Sequence, residues 1–516
     1  MNLFKEETLQ HKLISKWSTL VLLSLLIAPA GYIIRAIISN DLTVEEVGIF
    51  YSVLGLVSIL LAYSGLGLND SLKYFFPRFW ISDKKAEGKI LLYLLFGLQG
   101  LVAILLGWLF WRGSWWLATN YFHFPAAKPT IELFAMFLVV VRFLSIFIYF
   151  FETIQEVFWA KFLEAIRMRA TVVGVVYIWK AGMGSLYNYT LWRLIWGIIA
   201  LWLAVMVFKI KFWKYFKWIS YPPLKKIPFL LKDTIKYGFY SLLAAQWGIL
   251  LGSIDQQIVV YFLGSKEAGY YTTFLSVLLL YTIAIGPFTS FLFPVTSELI
   301  SKHQHNKLKS LLDILYKYGT VFGIFVGVVY LLLGEAIIYS LFGSKYLPAV
   351  LLLKIAAMFV FVNILTSINF NILSGLGKVK ERAVIIWRVA LWNVISDIIF
   401  VYLWGLPWVV YSTLVGWIIF LIWTYKIMSK ELKRNFKPDW KFLLKNLVGL
   451  LFRWVLVYWL CDMIRCREIS RWVSFGYVVV LGLSGFLVLS LINFKNLIEF
   501  KNLLLTTSNH ENKRSS

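Results

Sequence analysis

Apolar runs of roughly 18 to 25 residues recur along the chain, each long enough to cross ~30 Å of hydrocarbon at ~1.5 Å per residue. They fall near 17–39, 47–69, 90–111, 131–151, 166–183, 189–208, 238–263, 269–295, 313–334, 349–374, 384–404, 408–427, 446–464 and 473–494. The pattern predicts about fourteen transmembrane helices. Helices are required because lipid cannot satisfy free backbone polar groups, and the strands of a barrel would alternate polar and apolar residues. Lys5, Lys12 and Lys16 followed by an apolar run containing Ala28-Pro29-Ala30 outline a secretory leader. The run continues to Ile38, too long for a leader core, so it reads as an uncleaved first span.

One stretch of the pattern occurs twice. Ser265-Lys266-Glu267-Ala268-Gly269-Tyr270-Tyr271 repeats the outline of Val44-Glu45-Glu46-Val47-Gly48-Ile49-Phe50, position 265 standing 221 after position 44. The same offset carries Gly184 onto Gly405. A constant offset at both ends of a segment points to a duplicated membrane unit.

Composition narrows the class. Of 516 residues 60% are apolar and 15% charged, with a mean hydropathy of +0.76. A soluble domain cannot hide that much apolar surface. The net charge of +25 would suggest nucleic acid in a soluble protein, but here the basic residues sit in short connections. Lys73, Arg78, Lys84, Lys85 and Lys89 follow the second span, and Lys430, Lys433, Arg434, Lys437 and Lys441 the twelfth. With a cytoplasmic N-terminus these groups share one side, which predicts N-in and C-in in the cell (inner) membrane, contact with anionic membrane lipids, and no nucleic-acid partner. Lys211-Phe212-Trp213-Lys214-Tyr215-Phe216-Lys217-Trp218 interleaves cations and rings as headgroup anchors do. Cys461 and Cys466 give no disulfide framework, zinc site or redox pair.

No Gly-rich phosphate loop is present, and His11, His123, His303, His305 and His510 lie in tails or connections without metal-ligand spacing. No catalytic residue, metal site or cofactor is therefore assigned. The informative residues are charges within spans, which are costly and usually face a cavity. Arg35, Arg142 and Asp255 are the candidates to line a water-filled cavity between the halves, with Gln256 and Gln257 supplying neutral hydrogen bonds beside Asp255. Arg193, Asp397 and Arg453 read as structural pairs, and Glu152 and Glu156 as helix-end residues. The competing reading makes every one of these charges structural.

Glu46-Val47-Gly48-Ile49-Phe50 entering the second span, Leu66-Gly67-Leu68 closing it, Asp255 before Gly264-Ser265-Lys266-Glu267-Ala268-Gly269, and Leu373-Ser374-Gly375-Leu376-Gly377-Lys378 after the tenth span resemble the polysaccharide flippases. These are the Wzx-type O-antigen or capsule-repeat transporters of the multidrug/oligosaccharidyl-lipid/polysaccharide (MOP) exporter superfamily. The first-repeat counterpart of the last turn, Ile154-Gln155-Glu156, lacks its glycines. The resemblance implies an all-α polytopic membrane protein. Its parts are a segment 1–16, six-helix lobes at 17–208 and 237–427 joined by a linker 209–236, two further helices within 428–494, and a tail 495–516. It further implies transport of a polyprenyl-diphosphate-linked oligosaccharide by ion- or potential-coupled alternating access. A polysaccharide polymerase or assembly machinery stands as a candidate partner. On this reading Arg35, Arg142, Gln256 and Gln257 bind substrate and Asp255 couples the ion.

Two other functions remain open on the residues alone. A drug or metabolite antiporter would have twelve spans and an acid-rich cavity. A glycan polymerase or acyltransferase would need clustered catalytic groups in a sizeable outer connection, and the longest one, about 112–130, has no paired acids.

Overall fold

The computed structural model describes residues 31–217, 219, 227–245, 247–432 and 476. The expected spans 446–464 and (but for Gly476) 473–494, with Arg453, both cysteines, both termini and the first half of the 17–39 span, lie outside the described residues. All the elements found are helices: α1 (31–41), α2 (Val44–Ser64), α3 (Leu68–Ile81), α4 (Lys85–Arg112), α5 (Lys128–Thr153), α6 (Val157–Lys180), α7 (Leu186–Val207), α8 (Ile227–Ala245), α9 (Trp247–Leu263), α10 (Ser265–Leu278), α11 (Tyr281–Ser301), α12 (His305–Phe342), α13 (Ala349–Ala357), α14 (Val360–Gly375), α15 (Val379–Trp404) and α16 (Leu406–Glu431). Short helical turns fill several connections. Seven helical stretches among the described residues are long and apolar enough to cross a membrane, or eight if α13 and α14, bent by 60°, form one broken span.

Two expected spans are interrupted. The run 269–295 is α10 and α11, parted by a turn at 279–280, and the run 349–374 is α13 and α14. Hydropathy cannot report either break, because Val277-Leu278-Leu279-Leu280 is apolar throughout. The first break is marked instead by a polar group elsewhere: the Tyr330 hydroxyl on α12 donates to the Val277 carbonyl at 2.7 Å.

The duplication is visible in the turns. Between α3 and α4, Asp83 has φ +58; between α11 and α12, His303 has φ +54. The amide after each bonds back five residues, Lys84 to Phe79 O and Gln304 to Leu299 O, both at 2.8 Å. The glycine-free turn at Ile154-Gln155-Glu156 behaves likewise. Its bonds, Ile154 to Phe150, Gln155 to Glu152 and Glu156 to Phe151, reproduce Leu376 to Ile372, Gly377 to Ser374 and Lys378 to Leu373. Gln155 takes φ +64 where Gly377 takes +75, so the turn is kept and only its register slips by one residue.

The described residues fall into two compact units, one within Met1–Thr272 and Ala390–Val409, the other within Thr273–Val389 and Val410–Ser516. The first does not end at the expected linker: α8, α9 and the start of α10 belong to it. Its core is aromatic, with Phe76, Trp80, Phe150, Phe151, Phe212 and Phe216 packed together. Phe212 and Phe216, from the basic-aromatic run, thus enter the protein rather than the headgroup layer. In the second unit α12 carries Gly323 and Gly327 beneath the α13–α14 break. A Cβ at Gly323 would stand 2.9 Å from the Phe361 nitrogen, so small residues there admit the bent backbone. The Tyr316 hydroxyl donates to Asn369, whose Nδ2 donates to Thr424 Oγ1 at 3.0 Å.

Candidate functional site

Helix α2 is the post on which the candidate site is built. Thr43 caps it: the Glu46 amide donates to Thr43 Oγ1 at 3.2 Å, and the Thr43 amide to the Glu46 carboxylate at 2.9 Å. This reciprocal pair fixes where the helix starts. Its next turn crosses α10 with backbones in contact. A Cβ at Gly48 would overlap the Ser265 carbonyl and stand 2.7 Å from the Gly269 nitrogen. A Cβ at Gly269 would overlap the Val44 carbonyl and lie 2.8 Å from Val44 Cγ1. The contact is reciprocal, since Ser265 is the repeat counterpart of Val44 and Gly269 that of Gly48. The duplicated motif is a self-complementary helix crossing.

Amides bridge α2 to α9 one turn further along. Gln257 Nε2 donates to the Ser52 carbonyl at 2.9 Å, and Gln256 Nε2 to Ser52 Oγ at 3.2 Å and Thr272 Oγ1 at 2.7 Å. The Tyr121 hydroxyl donates to Gln257 Oε1 at 3.2 Å, and burial pushes that hydroxyl up to about 12, so it stays a donor at physiological pH. Asp255 is buried and its Oδ2 accepts from the Tyr271 hydroxyl at 3.1 Å. The three adjacent polar residues 255–257 thus gather where α2, α9 and α10 meet.

The other end of α2 closes on α8. After Ser64 the chain turns through Leu66 at φ +50 and Gly67 at φ +66 into α3. A Cβ at Gly67 would overlap the Gly238 carbonyl, and one at Gly238 would stand 2.8 Å from Leu66 O. Ser71 Oγ donates to Thr234 O at 2.9 Å, and Tyr74 and Tyr237 stack at 4.6 Å. Gly48 and Gly67 are 19 residues apart, about 28 Å at ~1.5 Å per residue, close to the ~30 Å of hydrocarbon.

Arg142 belongs to this second end. It is buried, donates from Nε to Ser64 Oγ at 2.9 Å, and also bonds the Leu61 carbonyl. Gln99 Nε2 donates to Gly65 O at 3.0 Å and to Asn69 Oδ1 at 3.1 Å. A helix end leaves carbonyls unpaired and carries partial negative charge, and these two side chains complete it. Arg35 lies far from there, its Cζ 4.3 Å from the Tyr51 ring centroid. Tyr51 and Ser64 are 13 residues apart, about 20 Å along α2, so the two arginines stand at different ends of that helix. Arg142 serves the α2–α3 break, where it donates to Ser64 Oγ and the Leu61 carbonyl.

Arg35 has other company. Arg193 Cζ sits 5.3 Å from the Phe50 ring and lies within electrostatic reach of Arg35 and Arg167. All three are half-buried. The Arg167 Nε has no hydrogen-bond partner among the described residues. Glu164, the carboxylate that acts on Arg167, is itself bridged to Lys161 at 2.8 Å. Arg167 escaped the sequence reading because the apolar run begins at 166, which makes it look like a boundary cation. Helix α6 starts at Val157, placing Arg167 about 15 Å into it at ~1.5 Å per residue.

The family profile of the polysaccharide biosynthesis proteins matches residues 13–301. The chain belongs to that family. It is 24% identical over 503 residues to an uncharacterized membrane protein of Methanocaldococcus jannaschii, covering 92% of this chain and 95% of that one. Its fold is similar to that of the lipid II flippase MurJ in an inward closed conformation, with TM-score 0.69, 16% identity, and 93% and 99% of the two chains covered. It is also similar to an inward-facing MATE multidrug transporter of the MOP superfamily, with TM-score 0.64, 15% identity, and 78% and 94% covered. At those identities the likeness is one of fold: this member of the polysaccharide biosynthesis family is an all-α multi-pass membrane protein.

Two expectations follow for this family member. Gly269→Val cannot be accommodated at the crossing with α2, so a cysteine at Ser52, introduced with Cys461 and Cys466 replaced by Ser, should react with a water-soluble maleimide at least tenfold faster in that background. Unchanged labelling of a folded protein would disprove the steric closure. Arg142→Ala should lower the unfolding free energy by about 1–3 kcal/mol, the cost of leaving buried acceptors unmade. Thermal unfolding in detergent measures it, and Arg142→Lys should recover part of the loss.

Proposed function

We propose that the chain is a flippase moving a polyprenyl-diphosphate-linked oligosaccharide across the cell membrane by alternating access, with the N-terminus and the Lys-rich connections cytoplasmic. The observation that carries this reading is that Arg35 and Arg193 lie over the Tyr51 and Phe50 rings of α2, with Arg167 in electrostatic reach of Arg193, between two glycine closures. Arg193 lies within electrostatic reach of Arg35 and Arg167, and guanidiniums so gathered suit an anion with several acceptor oxygens, as a diphosphate is. The aromatic faces beside them suit sugar rings, while the polyprenyl tail stays in lipid. Family membership supports a glycan-related substrate.

In this proposal the Gly48–Gly269 crossing is the outer closure and the Gly67–Gly238 contact the cytoplasmic one. Each opens in turn. When the outer closure parts, Gln256 and Gln257 lose Ser52 and become available to substrate hydroxyls. Asp255, held by Tyr271 in the closed state, meets water in the open one. That difference in environment lets an ion gradient act on the step, since a gradient drives only states that bind the ion differently. Arg142 contributes by holding the α2–α3 corner.

Headgroup translocation in proteoliposomes loaded with a lipid-linked oligosaccharide tests the function. Wild-type protein should move the headgroup, and Arg167→Ala or Arg193→Ala should reduce the rate at least a hundredfold while Arg193→Lys recovers part of it. Wild-type rates in both alanine variants would remove the cluster from the mechanism, and no translocation by wild type would overturn the function. The coupling step is tested separately. Asp255→Asn should fold and bind substrate but stop responding to an imposed proton or sodium gradient; a stable variant that still responds would exclude Asp255 from coupling.

A further inference from the structure

The basic run after α7 has a geometry that the transport proposal does not use. Lys209, Lys211, Lys214 and Lys217 occur there without an intervening acid. The backbone leaves α7 as a π-helix, Phe208–Phe212, and continues as a short helix, Trp213–Lys217. This spacing turns Phe208, Phe212 and Phe216 inward, with ring centroids 5.3, 6.0 and 6.0 Å from Phe150. The lysines are all exposed. Lys209, Lys211 and Lys214 form no ion pair among the described residues. Lys211 Nζ lies 4.3 Å from the Trp159 ring centroid and Lys214 Nζ 5.4 Å from that of Tyr215, so the rings steady the ammonium groups.

Directly beside this row is a cleft of about 300 Å³, lined by Leu92, Phe96, Phe147, Phe208 and Trp213 among others. Phe208 and Trp213 adjoin Lys209 and Lys214 in the chain, so the apolar wall and the charges meet. Lys89 also lines the cleft and donates to the Ile219 carbonyl at 2.8 Å, tying the start of the following connection to α4.

We propose that this cleft and the lysine row form a binding site for an anionic phospholipid of the adjoining leaflet, with one acyl chain in the cleft and the phosphate on Lys209, Lys211 and Lys214. Charge complementarity identifies the occupant. An apolar cleft in hydrocarbon gains nothing from the hydrophobic effect when a lipid chain enters it, because the chain leaves an equally apolar medium. Selectivity therefore comes from the headgroup, and a row of lysines favours a net negative one over a zwitterion whose own ammonium they repel. Lipid held there would brace the end of α7 against α4 and α5, where the chain enters the connection to α8.

The experiment uses the full-length protein in nanodiscs containing a diazirine-acyl phosphatidylglycerol or the matching diazirine-acyl phosphatidylcholine. After irradiation and digestion, phosphatidylglycerol should label peptides containing Tyr93 or Trp213, and phosphatidylcholine should label them at least tenfold less. Combining Lys209→Gln, Lys211→Gln and Lys214→Gln should reduce the phosphatidylglycerol signal at least tenfold, at about 1 kcal/mol per surface lysine. The matched control, Lys302→Gln with Lys307→Gln and Lys309→Gln, should leave it unchanged. Lys209, Lys211, Lys214 and Lys302 are exposed, and Lys307 and Lys309 are half-buried; thermal unfolding of both triple variants checks that folding is preserved. Equal labelling by both lipids, labelling confined to other peptides, or equal loss in both triple variants would overturn the proposal.

Discussion

Hydrocarbon offers no hydrogen bonds, so each interruption of a membrane helix has to be completed by the protein itself. That constraint organises both units. At the end of α2 the freed carbonyls are met by Arg142 and Gln99, side chains from α5 and α4. At the end of α10 the carbonyl of Val277 is met by the Tyr330 hydroxyl from α12. In each case a polar group that looks out of place within an apolar run belongs to a break in a different helix. The breaks cause close approaches in turn: where a chain bends, its backbone stands forward, and only glycine on the neighbouring helix leaves room for it, as Gly323 does beneath the α13–α14 bend.

The same logic separates the intramembrane arginines by what surrounds them. Arg142 has a defined set of acceptors and a helix terminus to neutralise. Arg35 and Arg193 rest on aromatic faces, and Arg167 exposes a guanidinium nitrogen to no described acceptor. A guanidinium over a ring is attracted by the π face.

The fold was legible in the sequence to the extent that hydropathy reports it: the all-α class, the duplication and spans within the described residues could be read, and the repeated motif at 44–50 and 265–271 marked the contact that matters most around α2. The breaks within 269–295 and 349–374 were not legible, since a turn flanked by Val277 and Leu280 has the composition of a helix. The site was legible only in part. Arg35, Asp255, Gln256 and Gln257 were singled out as polar groups in apolar runs; Arg35, Gln256 and Gln257 meet α2 at Tyr51 and Ser52, and Asp255 bonds Tyr271 on α10. Arg142 was singled out on the same ground and serves the helix corner, because burial depth says nothing about which carbonyl lies opposite. Arg167 was missed because a span edge placed a few residues late makes a deep cation look superficial.

The crossing of α2 and α10 carries a consequence about descent. Its two glycines are repeat counterparts, each pressed against the counterpart of its own neighbour four residues back, so the contact maps onto itself when the halves are exchanged. Such an isologous surface is what a half-length protein would use to meet a second copy of itself. Fusion of two gene copies would preserve it without any new complementarity having to arise. Before fusion, one mutation at the ancestral glycine would have altered both sides of the contact at once; in the fused chain Gly48 and Gly269 can change separately, and the two sides of the membrane protein are free to become different.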